Sequence, residues 1–350
     1  MSDLHETQVL KNEIFICNDV LYNLFGFLER AELGLKLAFV NYRFNALVDK
    51  FLKAKQWRIY WLEYRWANDG SGAELVKHYK SDYMEIYTKK LPIVMNTPLP
   101  DSLNGFERIS IRYFDHNAIA FLRSIRRLFN KEIRLSLNMI SEQKQSWAIM
   151  AREIWPLVSE KLGCLNFRQR GGIARLLQMF PNFLCECTEL RLIVLNDYFL
   201  NNFLRDNRGS PADVLFNWLH VPRKDGRPKV LKFGDETTDL AKYVDEFKKE
   251  FVKASTSASF IVQMDKLNFN GAEFVLENWQ TREKLIFRHK KPWDERILMR
   301  VPIEYKKRSR RWKLQQLDPL WSFYSCNAVS VELRDSRIGQ SRPMADDEDE

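Results

Sequence analysis

Apolar positions crowd between Ile16 and Phe51, in the stretch ICNDVLYNLFGFLERAELGLKLAFVNYRFNALVDKF. Val20, Leu21, Leu24, Phe25 and Leu28 recur at the spacing of one helix face. Asp19 stands before them, where an N-cap acceptor belongs. Glu29-Arg30-Ala31-Glu32 interrupts the pattern. Leu33, Leu37, Ala38 and Val40 then form a second stripe, and Phe44, Leu47, Val48 and Phe51 a third. Three helices in about 35 residues cannot enclose a large core. The surplus apolar surface needs a cover, from the rest of the chain or from another protein.

Between 53 and 105 the pattern turns aromatic. Trp57, Tyr60, Trp61 and Tyr64 keep helical spacing and predict one aromatic helix face, read as packing rather than as a stacking platform for bases. Asn68-Asp69-Gly70-Ser71-Gly72 reads as a turn and Ala73 to Lys90 as a further helix. Leu91-Pro92 and Pro98-Leu99-Pro100-Asp101 read as extended linker.

From 106 onward short strand-like runs alternate with helical ones. Strands are expected at Arg108–Tyr113, Glu132–Leu137, Leu162–Phe167, Leu190–Leu195 and Lys229–Phe233. Helices are expected at Ala118–Phe129, around Trp147 to Trp155, at Ile173–Leu184, at Ala212–Leu219 behind Pro211 in the first helical position, and at Asp239–Phe251. Strand-helix-strand repetition implies parallel pairing through right-handed crossovers. The expected fold class is therefore α/β (α+β overall). An irregular leucine-rich-repeat-like arc is the first expectation, a closed or doubly wound sheet the alternative. Ser259–Met264, Glu273–Trp279, Lys284–Arg288 and Ile297–Ile303 leave no room for helices and predict a small antiparallel meander, with Asn278 to Glu283 as a hairpin connection.

A hydrophobic content of 45% fits a folded chain of 350 residues. The chain has no run of about 18 apolar residues that would span a membrane, and Met1 to Glu13 lacks the basic start and apolar run of a secretory signal. These features predict an intracellular protein. The odd set Cys17, Cys164, Cys185, Cys187 and Cys326 predicts free thiols rather than disulfides, and Cys185-Glu186-Cys187 lacks the second ligand pair of a metal site. The net charge of +9 raises nucleic acid as a partner. Its densest source is Lys306, Lys307, Arg308, Arg310 and Arg311, a nuclear-import or nucleic-acid-binding segment or a plain solvated run. Asp346 to Glu350 reads as a disordered acidic tail.

The order of the N-terminal stripes resembles an F-box. Ile16-Cys17 stands at its Leu-Pro position, Asp19-Val20-Leu21 and Leu24 to Leu28 match its first helix, Glu32-Leu33 its turn, and Leu37 to Phe44 its closing segment. Trp57 falls where the motif often ends. Cys17 replaces a proline that would fix the backbone there. Over residues 14 to 305 the sequence is similar to the expanded F-box families of nematodes, through Gly105-Phe106-Glu107, Ile125 to Phe129, Ser146-Trp147 to Pro156, and Trp218 to Leu231. The resemblance implies a three-helix F-box domain at 14–58, a helical linker at 59–105, and an α/β substrate-recognition domain at 106–305, before a basic segment and acidic tail at 306–350. It also implies binding of a Skp-type adaptor and, through it, of cullin and RING subunits. Ile16, Cys17, Val20, Leu21, Leu24, Leu28, Leu33, Leu37 and Val40 carry the adaptor-binding positions.

No catalytic constellation accompanies these features. His5, His78, His116, His220 and His289 form no metal spacing. Asp115-His116 has no nucleophile turn beside it, and Arg170-Gly171-Gly172-Ile173 lacks the glycine spacing of a phosphate loop. His220 reads as a core or loop histidine and Asp245-Glu246 as solvated helix. The expectation is a non-catalytic subunit without cofactor, cytoplasmic or nuclear, that presents an unknown protein substrate to a ubiquitin ligase. The alternatives are a nucleic-acid-associated protein using 306–313, with the N-terminal helices only structural, and a scaffold that no longer joins a ligase.

Overall fold

The computed structural model describes residues 16–28, 33, 36–53, 57–80, 86–91, 103–129, 132–169, 171–195, 211–234, 240–265, 271–290, 295–304 and 327–339. The chain divides into two compact units. One holds Met1–Arg58 and Pro98–Asn104, the other Ile59–Thr97 and Gly105–Glu350.

In the first unit the three apolar stripes become helix α1 (Asn18–Phe25), a 3-10 turn at Leu37–Phe39 and helix α2 (Tyr42–Lys53). Asp19 is not the cap of α1. Cys17 takes that position without a side-chain bond, and Asp19 lies in the first turn, where its charge still suits the positive end of the helix dipole. Asn41 caps α2, its Oδ1 accepting from the Phe44 amide at 3.0 Å. Leu21 and Phe25 point inward. The Phe25 ring meets Phe51 edge-on at 5.8 Å and Phe44 at 6.5 Å. Tyr22 packs on Phe51 and donates its hydroxyl to the Lys50 carbonyl. Arg43 fastens the two helices, donating to Asn18 Oδ1 and to the Ile16 carbonyl.

The expected helices of the linker are strands: β1 (Trp57–Trp66), β2 (Ala73–Lys80) and β3 (Ile86–Leu91), paired antiparallel in that order. The aromatic spacing at 57 to 64 suits a helix, but Trp, Tyr and Ile are strand formers. Gly70 and Gly72, both at positive φ, close the turn that brings the two runs together, so cross-strand pairing overrides the local period.

The next elements follow the expected alternation. They are β4 (Leu103–Ile111), α3 (His116–Ser124), β5 (Ile133–Leu137), α4 (Lys144–Ile149), α5 (Trp155–Val158), β6 (Leu162–Phe167), α6 (Gly172–Met179), α7 (Phe183–Glu186), β7 (Leu192–Leu195), α8 (Pro211–His220), β8 (Lys229–Gly234) and α9 (Leu240–Lys253). Between α4 and α5, Met150–Ile154 takes π geometry and Trp155 bonds back to the Met150 carbonyl. Pro156, with no amide to give, follows at once, and the widened turn absorbs its ring. The meander is β9 (Phe260–Asp265), β10 (Phe274–Asn278), β11 (Glu283–Lys290) and β12 (Glu295–Pro302), and β13 (Asn327–Val331) comes last.

The architecture is mixed α/β. One thirteen-stranded sheet runs β10-β11-β12-β9-β8-β7-β6-β5-β13-β4-β1-β2-β3. From β9 to β4 every pairing is parallel, while the meander pairs antiparallel. β7 is buried at every position, Leu-Ile-Val-Leu, as a strand covered on both faces requires. Cys164, Val194, Val230, Ile261, Ile297 and Val301 join one cluster across β6 to β12.

β13 corrects the expected order. It lies inside the region read as basic segment and tail, and it inserts between β4 and β5, with Val329 opposite both Ile109 and Leu135. Its five residues Asn-Ala-Val-Ser-Val show too little pattern to announce a central strand. Asn327 fixes it from the side, accepting from the Phe106 amide and donating to the Leu128 carbonyl. Among the described residues no helix is long and apolar enough to cross a membrane.

Candidate functional site

Large apolar side chains that stay exposed gather in the first unit. On α1 and the turn behind it, Val20 is 48% exposed, Leu24 47% and Phe27 88%. Ile16 and Leu28 extend the same run, and Phe39, Val40 and Tyr42 add to it around the 3-10 turn. Elsewhere among the described residues such side chains occur as scattered individuals, such as Ile140, Val252 and Trp279. The cause is local. Val20 and Leu24 stand four residues apart on α1, which puts them on one side of the helix, while Ile16 just before it and Phe27 just after it add exposed side chains at its two ends. Leu21 and Phe25 use the other side for the core. The helix is apolar on two faces and the unit has core for one.

The residues expected to bind an adaptor therefore divide. Ile16, Cys17, Val20, Leu24, Leu28 and Val40 are exposed, and Leu37 is half-buried. Leu21 and Leu33 are buried at 6% and 0% and serve the core instead. Phe27, Phe39 and Tyr42 belong to the exposed set, although the motif positions alone did not single them out. For Phe27 the signal was present, since Leu24 to Leu28 holds more apolar side chains than one face can take. Lys306, Lys307, Arg308, Arg310 and Arg311 lie outside the described residues, as do His5, Cys326 and the acidic tail.

The titratable residues considered as chemistry are built into the fold. Asp115 caps α3, accepting from the Ala118 amide at 2.9 Å and from the Tyr64 hydroxyl at 2.7 Å. Burial and that carboxylate push the Tyr64 phenol well up. His116, beside it, is exposed. His220 ends α8 with its Nδ1 2.8 Å from the Phe216 carbonyl and its ring among Phe216, Phe247 and Phe260. Burial lowers its pKa and favours the neutral ring. Gly171 stands at φ 71° before α6, and a side chain at Gly172 would strike the Phe167 ring, so these glycines answer to packing. Asp245 and Glu246 pair with Lys248 and Lys249 along α9. Cys185 is exposed and Cys187 buried, where burial raises its thiol to about 12.

A charge cluster around a buried carboxylate, Glu63, was not visible in the sequence. Glu63, 1% exposed, holds His78 at 3.0 Å and Arg112 at 3.0 Å, and Arg112 also reaches Glu332. Trp61 stacks on His78 at 3.7 Å with Arg108 over the ring at 4.6 Å. Trp61 and His78 meet because the β1–β2 register pairs them, and no spacing along the chain encodes that. Of the aromatic run, Trp61 and Tyr64 are thus occupied within the fold, Tyr64 stacking on Phe121.

No protein-family model matches the chain, and no curated protein matches it.

Proposed function

We propose that this protein is the substrate-recognition subunit of an SCF-type ubiquitin ligase. In this reading the first unit is an F-box that docks on a Skp-type adaptor, and the α/β unit holds a protein substrate in the cytoplasm or nucleus. The observation that carries the proposal is the concentration of exposed apolar side chains at Ile16, Val20, Leu24, Phe27 and Leu28. A helix edged in this way supplies the anchors of helix-in-groove recognition. Covering such side chains at about 1.5–3 kcal/mol each outweighs the cost of association when several are buried together. The resemblance of Ile16 to Phe44 to an F-box names the adaptor. Seven consecutive parallel strands, β9 to β4, would supply the recognition surface. The leucine-rich-repeat-like reading of that unit rests on its strand–helix alternation, and the insertion of β13 departs from a strict repeat.

The proposed mechanism is proximity. A ligase that holds a substrate lysine beside activated ubiquitin raises their effective concentration without chemistry of its own.

Co-purification with a Skp-type adaptor tests the proposal. Wild type is expected to form a stable complex, and the double variant Leu24→Glu/Leu28→Glu to lose it while its circular dichroism is unchanged. Both side chains face solvent, so the variant should cost the fold little. Failure of the folded wild-type protein to bind the adaptor would sink the ligase reading.

A further inference from the structure

A second site lies in the α/β unit, where α7, α8 and the loop leading into β8 enclose a cleft of about 480 Å³. That volume is in the range of small-ligand sites. Its apolar walls include Leu184, Leu190, Val214 and Trp218, and Val221 stands at 59% exposure in the same lining. The loop is firmly set. Arg223 binds Asp225 with two parallel bonds, Nε to Oδ1 at 2.9 Å and Nη2 to Oδ2 at 2.8 Å, and spends its remaining nitrogen on the Glu189 and Leu190 carbonyls. Gly226, at φ 69°, completes the turn.

Lys229 opens β8 in this lining and is 6% exposed. Its ammonium donates to the Trp218 carbonyl at 2.5 Å and lies 4.9 Å from the Trp218 ring centroid. Among the described residues it meets no carboxylate. Asp225, the acid of the adjoining loop, is already matched by Arg223. One of three ammonium donors is therefore used, and a buried cation without a counter-charge is costly. Burial first, and then the Arg223 charge, press the Lys229 pKa down to about 8. Among the described residues the cleft thus combines an apolar trough with one buried cation that has no counter-charge, Lys229, while Glu189 and Lys224 of the same lining are exposed.

We propose that this cleft binds an amphipathic carboxylate, its apolar stem along Leu184, Leu190, Val214 and Trp218 and its carboxylate on Lys229 Nζ. Such a group occurs in a medium-chain fatty acid and at the C-terminus of a polypeptide ending in an apolar residue. The site does not depend on the ligase reading.

Calorimetric titration of the full chain tests it with two matched pairs of probes. One pair is octanoate and octan-1-ol, the other a hexapeptide ending in leucine as free acid and as amide. At least one acid should bind a single site at least tenfold more tightly than its neutral partner, and the preferred pair identifies the source. Lys229→Met, checked for folding by its thermal transition, should reduce the acid to the affinity of its neutral partner. Lys229→Arg should restore a preference for the acid. Val214→Trp keeps the lysine, fills the trough, and should abolish binding of acid and neutral probe alike. Equal affinities within both pairs, saturable binding of neither acid to wild type, or full acid binding by folded Lys229→Met would each overturn the proposal. If Lys229→Met does not fold, the wild-type comparison and Val214→Trp decide.

Discussion

Single side chains hold this fold at points where burial leaves no substitute. Glu283 and Arg300 are each 1% exposed and bonded at 2.8 Å through Arg300 Nε. Glu283 also accepts from Ser257 Oγ and the Ala258 amide, and Arg300 donates to the Thr256 carbonyl. Removing one partner strands the other charge. Glu283→Ala should therefore cost about 3–5 kcal/mol in urea unfolding. Glu283→Ala/Arg300→Met, which leaves no charge behind, should cost less than the single change, and a double variant worse than the single would refute this account. Asn327 poses the neutral form of the same problem. It is 0% exposed and its amide serves two backbone groups on different elements. Asn327→Leu should cost about 2–6 kcal/mol, since each of the two stranded groups contributes about 1–3, and should do so with an unchanged denaturant slope. A loss within 0.5 kcal/mol, the range of about ±0.5 for changes that touch nothing important, would show that water or a neighbour replaces the amide.

At the scale of elements, sequence pattern succeeded where an element is determined by its own residues. Leu162–Phe167 is expected and found as a strand with the same bounds, because an apolar run between two helical periods has no other use. The alternation from β5 to α9, the hairpin after Asn278 and the four strands of the meander are legible on the same ground. Asn278 shows how local such signals are. Its Oδ1 accepts from the Gln280 and Thr281 amides in the turn, and its Nδ2 holds the carbonyls of Phe251 and Ala254 at the end of α9. Pattern failed where pairing at a distance decides. β1 and β2 carry a helical period and become strands through their shared turn, and β13 is recruited by β5 and β4, whose partners Leu135 and Ile109 lie 194 and 220 positions before Val329. The candidate site was half legible. The stripe at Ile16 to Val40 was visible, but which of its members face inward, Leu21 and Leu33 among them, depends on α2. The Lys229 cleft needed Arg223 of the loop at 221–228 to bond to the Glu189 and Leu190 carbonyls that follow α7. One element-scale consequence can be tested with a chain ended after Cys326. It lacks β13, leaves edges on β4 and β5, and should aggregate or elute in the void volume. A soluble monomer with native circular dichroism would mean that β4 and β5 re-pair without it.

At the scale of the whole molecule, buried titratable groups of opposite tendency shape the stability curve. Lys229 has its folded pKa pressed below the unfolded value of 10.5 to about 8. Between those limits the unfolded chain holds a proton that the native protein has released, so this group makes stability rise with pH. The contribution cannot exceed about 1.4 kcal/mol per pH unit for one proton. Cys187 has the opposite sign. Its folded pKa is raised from 9.0 to about 12, so the unfolded thiol ionises first and stability falls as pH climbs above 9. The stability of wild type minus that of Lys229→Met should therefore rise from pH 8 to 10.5, since the variant keeps Cys187 and lacks the lysine. A flat difference would show that Lys229 is solvated in the native protein. At the acid end, Arg223 holds the Asp225 carboxyl down at about 2. Its stabilisation is present above the unfolded value of 3.8 and is lost as pH falls through 2, so Asp225→Asn should flatten the curve between pH 4 and 2.

The position of β13 also sets a clock on biosynthesis. β4 and β5 leave the ribosome long before the strand that joins them, and Phe106 and Asn327 are bonded across 221 positions of chain. At about 5–20 residues per second, the interval between the two is roughly 10–45 seconds. Throughout that time two apolar parallel strands meant for the centre of the sheet lack their common neighbour. A ribosome stalled anywhere before codon 327 would release a polypeptide without the strand that joins β4 to β5.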